Sequence, residues 1–365
     1  MAAAPVDDWQ ETPLSRRTPM TMRQPGTRAA TAEARPAATR AAVLGLGVYV
    51  PPRVLTNHDL TKLVDTSDEW IVERTGIRLR HVAEADQAAS DLAIPAAHAA
   101  LAEAKMKASD VDLVICATTT PDMIFPATAC VVQDRIGATR AGAYDLLAAC
   151  SSFVYGVISA AQLIEAGVVR HVLVVGAEVL TKLVDWTDRT TCVLIGDGAG
   201  AVVMGPSQNG GALLSSVVGA DGSAADLLKL PAGGSRIPMS TEAIAQNLHR
   251  ARMDGQGVFK LAVRVVPGAI REAVQKAGLT MDDVAWIVPH QANQRILEAI
   301  ARSMGLPFER FICTIDRYGN TSSASIPLSI WEARRDGRIK DGDRLVLVAF
   351  GGGFTWAACV LTWGR

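Results

Sequence analysis

The sequence predicts an α/β protein built from two related halves, and three observations carry that reading. Apolar runs of strand length alternate with helical stretches, segments of the chain repeat at a nearly constant offset, and the composition supports a large core. Hydrophobic residues make up 49 % of the 365 positions and charged residues 20 %, so the disordered class is excluded for all but the ends.

The elements follow in order. Residues 1–40 are rich in Ala, Arg, Thr and Pro without a hydrophobic period and read as a disordered N-terminal extension; Asp7 and Asp8 argue against an organelle transit peptide. From Ala41 the strand-length run AAVLGLGVYV is followed by an Ala-rich helical stretch around 92–106. Then come VDLVICATTT, the helical AAQLIEAG and the strand-like HVLVVGA. Apolar runs of this kind predict buried, largely parallel strands. The segment 41–52 is closed by Arg40 and Arg53 and falls short of the roughly 20 residues that span a bilayer, so no membrane segment is expected.

The repeat is read from the chain itself. Residues 100–117 align without gaps on 273–290, pairing Val111 with Val284 at an offset of 173. Residues 170–177 align on 344–351 at 174, and 150–167 on 320–337 at 170, which sets Cys150 opposite Asn320. Each repeat reads as a helix, an acidic turn and a buried strand. We therefore expect halves at 41–212 and 213–365, packed about a pseudo-twofold axis, with chemistry at the seam.

Charge and cysteine usage narrow the function. Thirty-six Lys and Arg against 37 Asp and Glu give a net charge of −1, so no global field argues for nucleic acid or an anionic membrane. The cysteines at 116, 130, 150, 192, 313 and 359 form no CxxC pair, which signals neither a metal site nor a disulfide framework and suits a cytoplasmic setting. Cys150 lies between the apolar run YDLLAA and a helical pattern, at a helix N-terminus that would favour the thiolate. His290 ends the strand-like AWIVPH, and Asn320 sits in a Gly-containing turn before the helix that mirrors the Cys150 helix. The run FGGGFTW at 350–356 supplies bare backbone for an oxyanion hole, formed by the N–H groups of Cys150 and Gly352. A Cys-His-Asn hydrolase would use the same residue types with water as acceptor.

Six ordered motifs carry a resemblance: VDTSDEWIVERTGIRLRH, DLLAACSSF, TDRTTCVLIGDGAGA, VPHQANQRI, YGNTSSASIP and AFGGGFTW. From about Ala41 to the C-terminus the chain resembles the β-ketoacyl-[acyl-carrier-protein] synthase III family, initiating condensing enzymes of the thiolase-like superfamily. The resemblance implies a five-layered αβαβα fold, a homodimer, and Cys150, His290 and Asn320 as catalytic triad. It implies condensation of a short acyl-CoA, acetyl-CoA first, with malonyl-ACP through an acyl-cysteine, with neither metal nor cofactor. The alternative is a divergent paralogue with another starter or acceptor in a secondary-metabolite pathway.

The same resemblance places Thr66, Trp70, Arg74, Arg189, Asn293 and Arg295 around CoA, with Trp70 stacking on adenine. It assigns Phe125, Phe259 and Phe350 to the acyl pocket, Phe125 reaching across the dimer and favouring short starters. Gln291, Ala292, Asn293, Gln294, Arg295, Lys260, Arg264 and Arg302 would meet the acidic acyl carrier protein. Ser151, Ser152, Thr190 and Gln256 depart from the family's usual residues.

Overall fold

The computed structural model describes residues 40–364; the expected tail lies outside them except for Arg40. Strand β1 (Ala41–Tyr49) comes first, then the short antiparallel pair β2 (Val54–Thr56) and β3 (Leu79–His81) around helices α1 (Asn57–Leu60) and α2 (Asp68–Thr75). Helix α3 (Ala89–Ala104), β4 (Leu113–Ala117), α4 (Thr128–Ile136), β5 (Gly142–Leu146), α5 (Ser152–Glu165), β6 (Val172–Glu178) and β7 (Gly198–Pro206) complete a five-stranded sheet of order β1-β7-β6-β4-β5.

Strand β8 (Ala212–Ala220) begins the next sheet. After β9 (Leu228–Lys229), α6 (Thr241–Ala245) and β10 (Arg252–Met253) come the long α7 (Gly255–Lys276), β11 (Trp286–Pro289), α8 (Gln294–Met304), α9 (Ile315–Tyr318), α10 (Ser325–Arg335), β12 (Arg344–Gly351) and β13 (Thr355–Thr362). The four-stranded sheet has the order β11-β12-β13-β8.

Layering follows from which faces are apolar. Helices α5 and α10 are buried between the sheets: α5 touches β1, β4, β6 and β7 on one side and β8, β12 and β13 on the other. Their Phe153, Val154, Val157, Ile326 and Ile330 share one core with Leu347 and Cys359 of the second sheet. Helix α3 covers the outer face of the first sheet and α7 that of the second. The result is the five-layered αβαβα arrangement.

The expectation of largely parallel strands is corrected. Strand β4 is parallel to β5 and β6, and β11 to β12, but β7 and β13 run antiparallel to both neighbours. The turn between β12 and β13 is too short for a parallel crossover, which needs a dozen or more residues. Alternation of apolar runs reports burial on both faces and is blind to strand direction.

The acidic turns of the repeat have a common use. Asp110 accepts from the Lys107 N–H before β4, and Asp283 accepts from the Thr280 N–H before β11, each closing a short turn that delivers a helix into a buried strand. The sheets bring the Asn320 turn hard against β6. A Cβ on Gly176 would lie 2.5 Å from the Ser323 carbonyl oxygen, so only a bare backbone allows that approach.

Candidate active site

Cys150 stands one residue before the N-cap of α5, after Ala149, whose φ of +48° is a left-handed conformation that a non-glycine residue rarely adopts. Two serines hold this turn. The Ala148 N–H donates to Ser152 Oγ at 2.6 Å, and Ser151 Oγ lies 2.6 Å from the Ala148 carbonyl and 2.8 Å from Thr355 Oγ1. Thr355 also donates to the Ala148 carbonyl at 2.8 Å, so the second sheet grips the turn that carries the thiol. These are two of the four positions expected to depart from the family's usual residues.

Gly351 closes on the same turn from the end of β12. A Cβ there would lie 2.5 Å from the Cys150 nitrogen, and one on Gly352 would lie 2.9 Å from the Leu228 carbonyl oxygen. Bare backbone therefore faces the thiol.

His290 follows β11, anchored by its N–H on the Val348 carbonyl at 2.8 Å. Its Nδ1 lies 2.8 Å from Ser325 Oγ at the start of α10, and its ring meets Phe350 edge-on with centroids 5.7 Å apart. The Ser325 hydroxyl has one hydrogen and two acceptors, Nδ1 and the Ser322 carbonyl at 2.8 Å; in the tautomer in which it donates to Nδ1, the imidazole keeps its own N–H on Nε2. Asn320 is fixed by its own backbone, donating to the Leu194 carbonyl at 2.8 Å, while its Oδ1 accepts the Ser322 N–H at 2.9 Å. The amide nitrogen has no protein acceptor among the described residues.

All three side chains line one cavity of about 530 Å³, with Phe259, Phe350, Gly351 and Gly352 on its walls and Arg74, Asn293 and Arg295 on its lining as well. Cys150 and Asn320 also line a second cavity of about 420 Å³, walled mainly by apolar side chains, Leu147, Leu180, Leu183, Val184 and Leu230 among them. The thiol thus stands at the junction of a channel carrying arginines and an apolar hollow. None of those apolar residues was singled out from the sequence. They lie far apart along the chain, and no motif marks them.

Electrostatics depart from the expectation of a thiolate at rest. Burial pushes the Cys150 thiol up to about 12; the Ser322 hydroxyl pulls it down, a negative charge on the nearby Glu178 carboxyl would raise it further, and the local backbone N–H lowers it. Burial likewise drives His290 down to about 3, against a smaller upward pull from the Ser322 backbone. Desolvation outweighs the helix terminus, so both groups are neutral at physiological pH in the unliganded protein.

The remaining residues sort by exposure. Trp70 has the guanidinium carbons of Arg74 and Arg189 at 5.0 and 5.1 Å from its ring centroid, and Arg189 also donates to the Asp65 carbonyl at 2.9 Å. Thr66 Oγ1 is buried without a hydrogen-bond partner among the described residues. Asn293 caps α8 through Oδ1 and donates to the Arg74 carbonyl at 3.1 Å. Lys260, Arg264, Arg295 and Arg302 are exposed on the adjoining helices α7 and α8.

The Gln291–Ala292 pair differs from expectation. Gln291 is 1 % exposed, and its amide is consumed inside the protein by the Pro289 and Ile312 carbonyls and the Thr314 N–H. It cannot face a carrier protein; it pins the loop after His290, and Ala292 is buried beside it. Phe125 is 83 % exposed and lines neither cavity of its own chain.

Comparison with known proteins agrees with this geometry. Residues 144–222 match the 3-oxoacyl-[acyl-carrier-protein] synthase III family model, and 274–363 match the C-terminal model of the same family. The β-ketoacyl-[acyl-carrier-protein] synthase III of Symbiobacterium thermophilum is 53 % identical over 323 residues, 88 % of this chain and 98 % of that protein. The crystal structure of the Thermus thermophilus synthase III superposes with a TM-score of 0.82 at 50 % identity, covering 88 % of this chain and 99 % of that one. The priming β-ketosynthase of the R1128 polyketide pathway superposes at 0.83 with 34 % identity, covering 92 % of this chain and 99 % of its own. Identity of this level sustained from β1 to β13, on the same layered fold, means that the chain belongs to the β-ketoacyl-[acyl-carrier-protein] synthase III family.

Proposed function

We propose that, in the condensation by which this family initiates fatty acid synthesis, Cys150 is the nucleophile that carries the starter acyl group, while His290 and Asn320 stabilise the enolate of malonyl-ACP. The observation that carries the reading is the position of Cys150 and Asn320 where the arginine-bearing channel meets the apolar cavity. An acyl-CoA laid in the channel would put its nucleotide near Trp70, Arg74 and Arg189 and its acyl group in the apolar hollow. Adenine stacking on Trp70 would displace one of the guanidinium groups now over the ring.

The Cys150 sulfur attacks the starter thioester, with the N–H groups of Cys150 and Gly352 receiving the developing oxyanion. The bond to the CoA sulfur breaks, and the thiol proton ends on the departing CoA. Malonyl-ACP then enters, its acidic carrier meeting Lys260, Arg264, Arg295 and Arg302. Its carboxylate leaves as carbon dioxide, and His290 Nε2–H and the Asn320 amide donate to the thioester oxygen, which becomes the enolate oxygen. The carbanion attacks the acyl-cysteine carbonyl, β-ketoacyl-ACP forms, and Cys150 leaves as thiolate and is reprotonated.

A neutral imidazole suits this role because it donates a hydrogen bond without surrendering a proton to the carbanion. Side chains, backbone and the substrates supply every step. Intact-protein mass spectrometry with a panel of acyl-CoAs, then a malonyl-ACP chase, tests the reading. An adduct on Cys150 that vanishes as β-ketoacyl-ACP forms supports it and names the starter. An adduct that decays to free acid regardless of malonyl-ACP overturns it.

A further inference from the structure

Glu178, at the end of β6, is fully buried and takes no part in the steps above. Among the described residues its carboxyl is bonded by hydroxyls and one backbone N–H. Thr119 reaches it through N–H at 3.1 Å and through Oγ1 at 2.8 Å, Thr120 Oγ1 lies at 2.9 Å, and Ser323 Oγ lies at 2.9 Å. Ser323 belongs to the turn that carries Asn320, in the opposite half of the chain. Thr119 and Ser322 line the apolar cavity together with Cys150 and Asn320.

Counting hydrogens assigns the carboxyl's state. Thr120 Oγ1 accepts the Val179 N–H, so its own hydrogen is free for Glu178. Ser323 Oγ has a single hydrogen and two acceptors, the Ala117 carbonyl at 2.8 Å and Glu178 Oε1. A proton on Oε1 resolves the conflict. Glu178 donates to Ser323, Ser323 donates to Ala117, and Thr119 and Thr120 donate to Oε2. An ionised carboxylate would instead draw the Ser323 hydrogen away from Ala117 and would lie buried without a cation among its bonding partners.

We propose that Glu178 is a positioning residue for the condensation, acting as a neutral acid that locks the Asn320 turn of one half to the Thr119–Thr120 rim of the other. Burial holds its carboxyl above the usual carboxylate range even against the four hydrogen bonds that favour the anion. The titratable groups that would feel its charge are the Cys150 and Cys116 thiols, Cys116 also facing Asp145 and Asp122. A neutral Glu178 spares Cys150 a negative neighbour at the moment its sulfur must bear charge. The inference rests on the roles proposed for Cys150 and Asn320.

The test compares full-length wild type, Glu178→Gln and Glu178→Ala in two measurements: the pH–rate profile of iodoacetamide alkylation at the Cys150 peptide, and turnover of preformed acyl-enzyme by malonyl-ACP. Glutamine keeps an uncharged donor and acceptor, so its alkylation profile should overlay the wild type and its condensation should stay within about threefold. Glu178→Ala frees the Asn320 turn and should slow condensation by at least about tenfold, more than it slows acylation. Faster alkylation of Glu178→Gln at a given pH would show that a charge had been removed and overturn the proposal, as would condensation as slow as in Glu178→Ala. Should the alanine variant fail to fold, the glutamine alkylation profile decides alone. If wild type takes no acyl group on Cys150, the proposed function falls, while the alkylation comparison still judges the state of Glu178.

Discussion

A thiol held up to about 12 and an imidazole held down to about 3 form no ion pair at rest, which separates this site from thiolate–imidazolium hydrolases. Each residue then serves a different half-reaction. Cys150→Ala should abolish acyl-enzyme, whereas His290→Ala and Asn320→Ala should still be acylated but lose condensation by about 100-fold or more, the usual cost of an oxyanion donor. Equal loss of both half-reactions in all three variants would contradict the division. The imidazole also sets a pH signature. Condensation from preformed acyl-enzyme should show no titration near pH 6.5 across about pH 6 to 8, because His290 is already neutral there.

The stability linkage of that histidine has a definite sign. The folded chain holds His290 unprotonated down to about 3, while the unfolded chain takes up a proton near the ordinary imidazole value of about 6.5. Folding stability from this group is present above that value and is lost as pH falls toward the folded pKa. His290→Ala should therefore lose less stability than wild type between about pH 7 and 5, measured by urea unfolding. A steeper loss in the variant would mean that other groups near the ring carry the proton.

At the scale of elements, the turn before α5 shows what local sequence conveys and what it does not. Serine at 151 and 152 reads as added polarity at a helix start. Its use emerges only when Thr355, more than 200 residues away, is brought beside it. Ser152→Ala strips the Ala148 N–H of its acceptor at a partly buried turn and should cost about 1–3 kcal/mol, with slower acylation as Cys150 shifts. Ser151→Ala should cost less, since Thr355 still donates to the Ala148 carbonyl. Unfolding midpoints and acylation rates of the two variants check that order.

The same distinction explains the rest of the sequence reading. The alternation of strands and helices was legible because each element is a contiguous stretch with its own pattern, and Cys150, His290 and Asn320, which line one cavity, each sit in a motif of their own. The apolar cavity was not, because its lining is gathered from residues 119 to 355. Gln291 was misread because a motif was carried over as a block, although His290, Gln291 and Ala292 are all buried at the strand end and the first exposed residue of the motif is Arg295. The thiol was misread because a helix terminus can be seen in sequence, whereas desolvation is a property of the packed fold.

At the scale of the whole molecule, one face of the chain carries an open sheet edge and exposed apolar side chains. Strand β5 is the edge of its sheet, and beside it Ile124, Phe125 and Leu147 are 79 %, 83 % and 75 % exposed. An unprotected edge flanked by apolar side chains calls for a cover. Leu147 also lines the apolar cavity, so that cavity opens toward the same face. A second copy seated there would continue the sheet and bring its own Phe125 to the opening. Phe125→Ala should then raise turnover of longer acyl-CoAs relative to acetyl-CoA, and hybrid dimers can show which chain supplies the ring. Pairing a Phe125→Ala chain with a Cys150→Ala chain leaves one working thiol, and that thiol faces the intact Phe125 of the other copy. Such a hybrid should keep the wild-type preference for short starters. A hybrid as permissive as the Phe125→Ala homodimer would mean that the ring acts within its own chain, which its exposure and its absence from both cavity linings argue against.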